Sequence, residues 1–350
     1  MRSIPIGLAA LSLIASCGKG NGPTGGMVGR CTPAAGGHTA QFVMSQAKIP
    51  TDNVQFGIDL DGDGKRDNRL GSILGALTSK VDPQMAINNA IQEGTFAFLL
   101  ELVSTDAKYQ TDTCMVTHAQ VGEFVSTGAK PLLDGTDQYR AKSGATVVAM
   151  SGALAQGAFS SQDPLTSTVP IEMQLSLPIA ANAPPLDLHI VSAHLQLTVA
   201  EDGKTLRKGE VHGAIRQADV QGTVTPGLAS IFGAALSDPK GTPATKKSIA
   251  DLFDVGDVAA DPACNTSCSK KDRCCKNPDN SCSQPGDGKI DLCEVSTQSA
   301  IVNILNPDVK LFDASGHYKP VAGAPAAEKD CLSLGLGFDA AAASFVPSAE

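Results

Sequence analysis

The sequence predicts a mainly β protein: an antiparallel β-sandwich or barrel-like body with several short helices and a disulfide-rich insert. Apolar runs between about residues 95 and 222 are separated by Gly, Pro, Ser and Asp at the spacing of antiparallel strands. Helical patterns are short and lie outside this stretch, and six of the ten cysteines fall within residues 264–293. An α+β fold is the alternative.

Strands are predicted where apolar residues alternate, or run continuously, between turn residues. Residues 27–50 are predicted to be loop-like. The first strand of the long β stretch is predicted at residues 96–103. Outside this stretch, strands are predicted at residues 54–58, 309–312 and 331–338.

One hairpin can be derived in register. Odd-numbered residues of 191–199 are apolar and even-numbered ones are polar, and Glu201-Asp202-Gly203 suits a three-residue loop with Gly in the left-handed conformation. This register sets His194 opposite Glu210 on a polar face. The apolar residues change parity just before Val191, which predicts a β-bulge there.

His189 and His194 share a strand, and His212 lies across the hairpin. A zinc site on that sheet face is an alternative to ordinary surface histidines. The ordinary interpretation is favoured because no cysteine or acidic cluster converges there.

Helices are predicted from apolar spacing and from capping residues. Leu70, Ile73 and Leu74 recur at helical spacing, and Asp82-Pro83 is typical of a helix start. Thr225-Pro226 is interpreted as the cap of a later helix. The predicted helices cover residues 70–77, 83–92, 227–236, 247–253 and 294–305.

The first residues predict a lipoprotein signal peptide over 1–16. Arg2 precedes the apolar run 4–15, which is shorter than the roughly 20 residues of a membrane-spanning helix. Ile14-Ala15-Ser16-Cys17 resembles a bacterial lipobox, in which Cys17 becomes the lipid-modified first residue. An ordinary signal peptide with a chance cysteine is the alternative. Gly18 is not the aspartate that favours inner-membrane retention in enteric bacteria, so the outer membrane is expected.

Composition argues against several classes of partner and activity. The formal net charge of -9 disfavours nucleic acid and anionic lipid headgroups. The chain has no Trp and three Tyr, so it offers few aromatic rings for stacking on bases or sugars, and carbohydrate binding is disfavoured. The chain has no GxSxG, HExxH or P-loop motif, and we predict a non-enzymatic protein.

The stretch GIDLDGDGKRDNRLG, residues 57–71, has the spacing of an EF-hand-type calcium loop. Leu70 stands where a bidentate Glu belongs, and Arg66 stands where an apolar residue is usual. Water must then complete the coordination, which predicts a weak structural site with a dissociation constant of about 0.1–1 mM. The alternative is a solvated acidic turn, whose carboxylates would repel each other without a cation. The predicted ligands are Asp59, Asp61, Asp63, the Lys65 carbonyl and Asp67.

A second, weaker calcium loop is predicted at residues 283–294. Ser283 and Pro285 occupy its first two ligand positions and cannot supply carboxylates. Its predicted ligands are Asp287, the Lys289 carbonyl, Asp291 and Glu294.

The cysteine-rich insert is predicted to contain three disulfides rather than zinc, because its spacings are not paired CxxC and an exported protein meets an oxidising compartment. The pairing within it stays open. Outside it, a Cys31–Cys114 disulfide is expected, which leaves Cys331 free and buried in a strand. The six cysteines of the insert are Cys264, Cys268, Cys274, Cys275, Cys282 and Cys293.

The lipobox and several scattered blocks resemble predicted lipoproteins of myxobacteria and related bacteria. The blocks are GIDLDGDGKRDNRLGSILGAL, GDGKIDLCEVSTQSAIVNIL, PDVKLFD and CLSLGLGF. The resemblance implies an envelope location and a similar architecture, but no activity. The two acidic loops also resemble EF-hand and dockerin calcium loops.

We therefore predict an envelope-anchored, non-enzymatic lipoprotein with weakly bound structural calcium and a lipid-mediated membrane contact. One alternative is a carrier of an apolar ligand inside the β body, and a second is a metal-dependent hydrolase. The predicted order is a signal peptide (1–16), an anchor and tether (17–50), a strand–calcium loop–helix segment (51–94), an antiparallel β body (95–236), a linker and helix (237–263), the cysteine-rich insert (264–294) and a helix with C-terminal strands of the body (295–350).

Overall fold

The computed structural model describes residues 31, 36–77, 81–125, 129–180, 182–239, 241–254, 288–290, 292–297 and 299–347. Several predictions fall outside these residues: the lipidation of Cys17, the ligands Asp287 and Asp291, and most of the cysteine-rich insert. Of Cys293, only the helical backbone is described.

The described residues form eleven strands in one sheet. The strands are β1 (His38–Lys48), β2 (Ala97–Ser104), β3 (Thr111–Phe124), β4 (Gln138–Ala141), β5 (Val148–Ala155), β6 (Ala158–Ser161), β7 (Met173–Leu177), β8 (Leu186–Val199), β9 (Thr205–Arg216), β10 (Cys331–Ala342) and β11 (Ser344–Phe345).

Eight of these strands close into an antiparallel barrel in the order β3-β2-β1-β10-β9-β8-β6-β5, with β5 pairing back to β3. Closure removes the exposed strand edges of an open sheet. Outside the ring, β4 pairs with β3, β11 runs parallel to β4, and β7 pairs with β8. The predicted mainly β, antiparallel body is confirmed.

Apolar side chains fill the barrel. The main core takes residues from all eight barrel strands, and on β10 it takes Leu332, Leu334, Leu336 and Phe338. A gap in this core, beside Phe338, encloses only about 20 Å³. Side chains therefore occupy the barrel interior around this gap, as they do in other small barrels.

The described residues include seven α-helical segments. They are α1 (Arg69–Leu77), α2 (Pro83–Gln92), α3 (Gln217–Asp219), α4 (Thr225–Ser237), α5 (Pro243–Phe253), α6 (Leu292–Thr297) and α7 (Ser299–Ile304). Asp82 caps α2 by accepting a hydrogen bond from the Met85 N–H, as predicted. None of the helices among the described residues is both long and apolar enough to cross a membrane.

Thr225 does not cap a helix. A π-helical turn, Val220–Val224, joins α3 to α4 without a break, and the Thr225 hydroxyl donates to the Val220 carbonyl at 2.9 Å. The helix therefore begins at Gln217 rather than at the predicted Gly227, because the preceding turn continues the helical backbone.

Three strand and loop predictions are wrong. The predicted tether, residues 17–50, contains β1, whose Phe42 and Val43 are fully buried between β2 and β10. Residues 54–58 form no strand; Val54 is exposed, and Ile58 makes a single bridge with Asp67. Residues 309–312 likewise make only isolated bridges.

The derived hairpin register is wrong by two residues. His194 lies opposite His212, and Glu210 lies opposite Gln196. One residue of the shift comes from the turn, because Ala200 bonds to Thr205 and leaves four residues between them. The other comes from a bulge between Gln196 and Thr198, facing Lys208, which adopts a positive φ of 52°.

Three other predictions are confirmed. The register shifts again between Val191 and His194, so the predicted bulge near Val191 is present. A disulfide joins Cys31 to Cys114 at the start of β3, and Cys331 is a free, buried thiol on β10.

Candidate metal site

The acidic loop sits directly on the outer face of β10. The outward residues of that strand include Gly335 and Gly337, and a Cβ at Gly335 would lie 1.7 Å from the Phe56 carbonyl oxygen. A Cβ at Gly337 would lie 2.6 Å from the Phe56 ring. In CLSLGLGF, the Leu side chains therefore fill the barrel, whereas the Gly residues on the outer face let the loop approach the strand.

Asn68 fastens the loop to the barrel. Its buried amide donates to the Gly335 carbonyl at 2.9 Å and accepts from the Gly335 N–H at 2.8 Å. The same side-chain oxygen accepts from the Gly71 N–H at 2.9 Å and so caps α1. The loop, the barrel and the helix thus meet at one side chain.

A second anchor lies inside the loop. Leu60 is fully buried in a small core that includes Val191, Ala214 and Val309 on the outside of the barrel. The Asp67 N–H donates to the Ile58 carbonyl at 2.9 Å and closes the loop at its base. The loop is therefore closed at its base by the hydrogen bond between Asp67 and Ile58 and held against the barrel by Leu60.

Three of the predicted carboxylates converge. Asp59, Asp61 and Asp67 each offer an oxygen, and these oxygens all lie within 4.8 Å of one another. Gly62 and Gly64 turn the chain between them with φ of 88° and 82°, a conformation that disfavours other residues. Clustered carboxylate oxygens are the ligands that calcium prefers.

Backbone donors hold the first of these carboxylates in place. Asp59 accepts hydrogen bonds from the N–H groups of Gly62 at 2.6 Å, Asp63 at 3.1 Å and Gly64 at 2.8 Å. This is the local consequence of a tight turn with aspartate at its first position.

Asp63, the predicted ligand at position 5, is not part of the cluster. Its carboxylate accepts from the Lys65 ammonium at 2.8 Å and from the Lys65 N–H at 2.9 Å. The Lys65 side chain is highly exposed, so this pair costs little to break. Asp63 can reach an ion only by leaving Lys65.

Burial makes the cluster unfavourable for negative charge. Desolvation raises the pKa of Asp67 to about 7, and the nearby charges of Asp308, Asp61 and Asp63 act in the same direction. Desolvation also raises the pKa of Asp61. Carboxylates held together out of water are stabilised by a cation or a proton.

A polar cavity of about 480 Å³ adjoins the cluster on the side of Asp67. Asp308 lines it and is held by Ser333, whose N–H and hydroxyl donate at 2.7 and 2.5 Å. Lys329 and Arg66 also line the cavity. Burial raises the pKa of Asp308, and the charge of Asp308 contributes to the raised pKa of Asp67.

The second predicted loop is described only in part. Glu294 is buried in the first turn of α6, and Lys289 is exposed. Its binding of calcium stays a prediction.

No known family model matches the chain, and neither a curated protein nor a solved structure is significantly similar to it. The sequence located the acidic cluster, but it did not reveal Asn68, Leu60 or Phe56 as the residues that position it.

Proposed function

We propose that the protein is a non-enzymatic, envelope-anchored lipoprotein in which bound calcium holds a loop against a β-barrel body. The convergence of Asp59, Asp61 and Asp67 supports the calcium site most directly. The lipobox sequence ending in Cys17 supports the anchor. A calcium ion there would neutralise the buried carboxylates and stabilise the corner between the loop and α1.

The incomplete ligand set limits the role of the ion. Leu70 is fully buried at position 12, so no side-chain oxygen comes from that position. A switch of the EF-hand type depends on the position-12 Glu, whereas an ion without it acts locally. We therefore assign the ion a structural role.

Carriage of an apolar ligand is the alternative that the barrel architecture would permit. Among the described residues, the apolar gap beside Phe338 is about 20 Å³, much smaller than the several hundred Å³ of typical ligand sites. We therefore do not favour a carrier over the structural role.

Calcium titration by calorimetry tests the proposed site. The mature chain should bind calcium with a dissociation constant of about 0.1–1 mM, and Asp61→Asn should weaken this binding at least about tenfold. Lys65→Met should tighten it, because Asp63 loses its competing partner. Lys247→Met, which removes a similar exposed pair with Asp251, is the matched control and should change nothing.

Membrane fractionation tests the anchor separately. Cys17→Ser should move the protein from the membrane fraction to the soluble fraction. Sedimentation of that variant with membranes in high salt would contradict lipid anchoring.

A further inference from the structure

Four polar side chains share one patch on the outer face of β8 and β9. His194 lies opposite His212, and Gln196 lies opposite Glu210, so all four project to the same side of the sheet. His212 is fully buried and His194 is 4% exposed, although neither lies in the apolar core. This patch is separate from the acidic cluster.

A hydrogen bond fixes the tautomer of His212. Its Nδ1 lies 2.7 Å from the Phe56 carbonyl oxygen, which can only accept, so Nδ1 carries the proton and Nε2 of the neutral ring presents a lone pair. His194 Nδ1 lies 3.1 Å from the Gln162 carbonyl oxygen and 2.9 Å from the Ser161 hydroxyl, which can donate or accept. His194 Nε2 presents a lone pair in the tautomer in which Nδ1 donates to the Gln162 carbonyl.

These lone pairs are poorly satisfied. His212 Nε2 is buried and has no hydrogen-bond partner, although Glu210 Oε2 lies 3.4 Å away. His194 Nε2 has only long contacts of 3.3 Å, with Ser160 Oγ and Gln196 Nε2. A buried nitrogen lone pair that faces a carboxylate oxygen lacks the positive group that would stabilise both.

We propose that this patch is a second metal site, which binds a divalent transition-metal ion such as zinc through His194 Nε2, His212 Nε2 and the Glu210 carboxylate. Two imidazoles and a carboxylate form a common zinc ligand set. Metal-binding histidines usually donate their other ring N–H to a carbonyl or carboxylate; His212 does so to Phe56, and the Gln162 carbonyl is within reach of His194 Nδ1. Two residues opposite each other on neighbouring strands, with a third two positions along, present their side chains on one face.

Binding requires a local rearrangement. The two imidazole rings are 5.8 Å apart between centroids, and the three ligand atoms do not all lie within 4.8 Å of one another, since among the described residues only the aspartate cluster meets that distance. The Glu210 side chain is 25% exposed and can turn toward the rings. Burial raises the pKa of Glu210 and lowers the pKa of His212. The positive charge of Arg66 lowers both values and therefore acts against a bound cation.

Zinc titration of the oxidised, alkylated mature protein in saturating calcium tests this site. Calcium occupies the acidic loop, and alkylation blocks free thiols. His194→Gln and Glu210→Gln should each weaken one zinc equivalent at least about tenfold. Arg66→Gln should strengthen it, because an opposing charge is removed. His118→Gln is the matched control, since His118 pairs with Glu101 on a different part of the sheet.

Ring ¹⁵N chemical shifts provide a second readout that does not depend on affinity. Zinc should shift the Nε2 signals of both histidines and leave the protonated Nδ1 signals in place, while circular dichroism checks that each variant is folded. Zinc binding unchanged in folded His194→Gln and Glu210→Gln, or the absence of any zinc-dependent Nε2 shift, would overturn the proposal.

Discussion

The Asn68 side chain and the Gly335 backbone form a reciprocal pair of hydrogen bonds between residues 267 positions apart. The Asn68 amide bonds to both the N–H and the carbonyl of one residue of β10, as the backbone of a neighbouring strand would, and so couples the acidic loop to the barrel. Because Asn68 also caps α1, the geometry of the loop depends on the barrel and on the helix together.

Asn68→Ala should therefore destabilise the protein by about 2–4 kcal/mol, since several buried hydrogen bonds are lost and the Gly335 backbone groups remain unpaired. Urea unfolding of wild type and variant measures the difference. Asn53→Ala, at an exposed position on the rim of the neighbouring cavity, should be neutral within about 0.5 kcal/mol. An equal loss in both variants would show that Asn68 has no special role.

Gly335→Ala should displace the loop from β10. The added methyl group would collide with the Phe56 carbonyl oxygen, which a backbone shift alone can relieve. We expect a loss of about 2 kcal/mol or more in unfolding free energy, together with weaker calcium binding. Gly222→Ala is the control, because nothing lies within 4 Å of its added Cβ. If Gly335→Ala bound calcium with wild-type affinity, the close contact between Gly335 and Phe56 would not be needed to position the calcium site.

The ionised Asp112 carboxylate should stabilise the folded state at neutral pH but not in acid. Burial alone would raise its pKa, but hydrogen bonds from the Cys114 N–H, the Ser104 hydroxyl and the Thr105 N–H lower it overall. A folded-state pKa below the unfolded value of about 3.9 gives stability that is present above that pH and is lost as the pH falls through the folded pKa.

The change Asp112→Asn should accordingly cost about 1–3 kcal/mol at pH 7, and this cost should shrink below about pH 4. Denaturant melts at a series of pH values measure it. Asp251→Asn, in an exposed ion pair, should show a small difference at every pH. A cost for Asp112→Asn that is the same at pH 3 and pH 7 would contradict the lowered pKa.

Local signals in the sequence predicted much of this structure. The spacing of Leu70, Ile73 and Leu74 and the Asp82-Pro83 cap predicted α1 and α2, because helices depend on contacts three and four residues apart. The aspartates at alternate positions likewise predicted the cluster, since their convergence follows from one tight turn.

Features that depend on distant residues were missed. In β1, polar residues and a shift in register between Met44 and Gln46 interrupt the apolar alternation, so the strand resembled a loop. The hairpin register differs by two residues because the turn has four residues instead of three and because Lys208 adopts a left-handed conformation that a lysine does not predict. Asp63 was predicted to be a ligand from its position alone, but the neighbouring Lys65 competes for its carboxylate.

The most direct test of the calcium-stabilised corner is thermal melting of the mature wild type and of Asp61→Asn, each in 10 mM calcium and in chelator. Calcium at 10 mM is about 10–100 times the expected dissociation constant, so it should stabilise the wild type by about 1.4–2.7 kcal/mol and raise its melting temperature by about 2–4 °C. Asp61→Asn should melt at nearly the same temperature in both buffers, whereas Asp313→Asn, in an acidic turn far from the cluster in sequence, should respond as the wild type does. Equal wild-type melting temperatures in calcium and chelator, or a calcium shift that survives in Asp61→Asn, would contradict a calcium-stabilised corner at Asp59, Asp61 and Asp67.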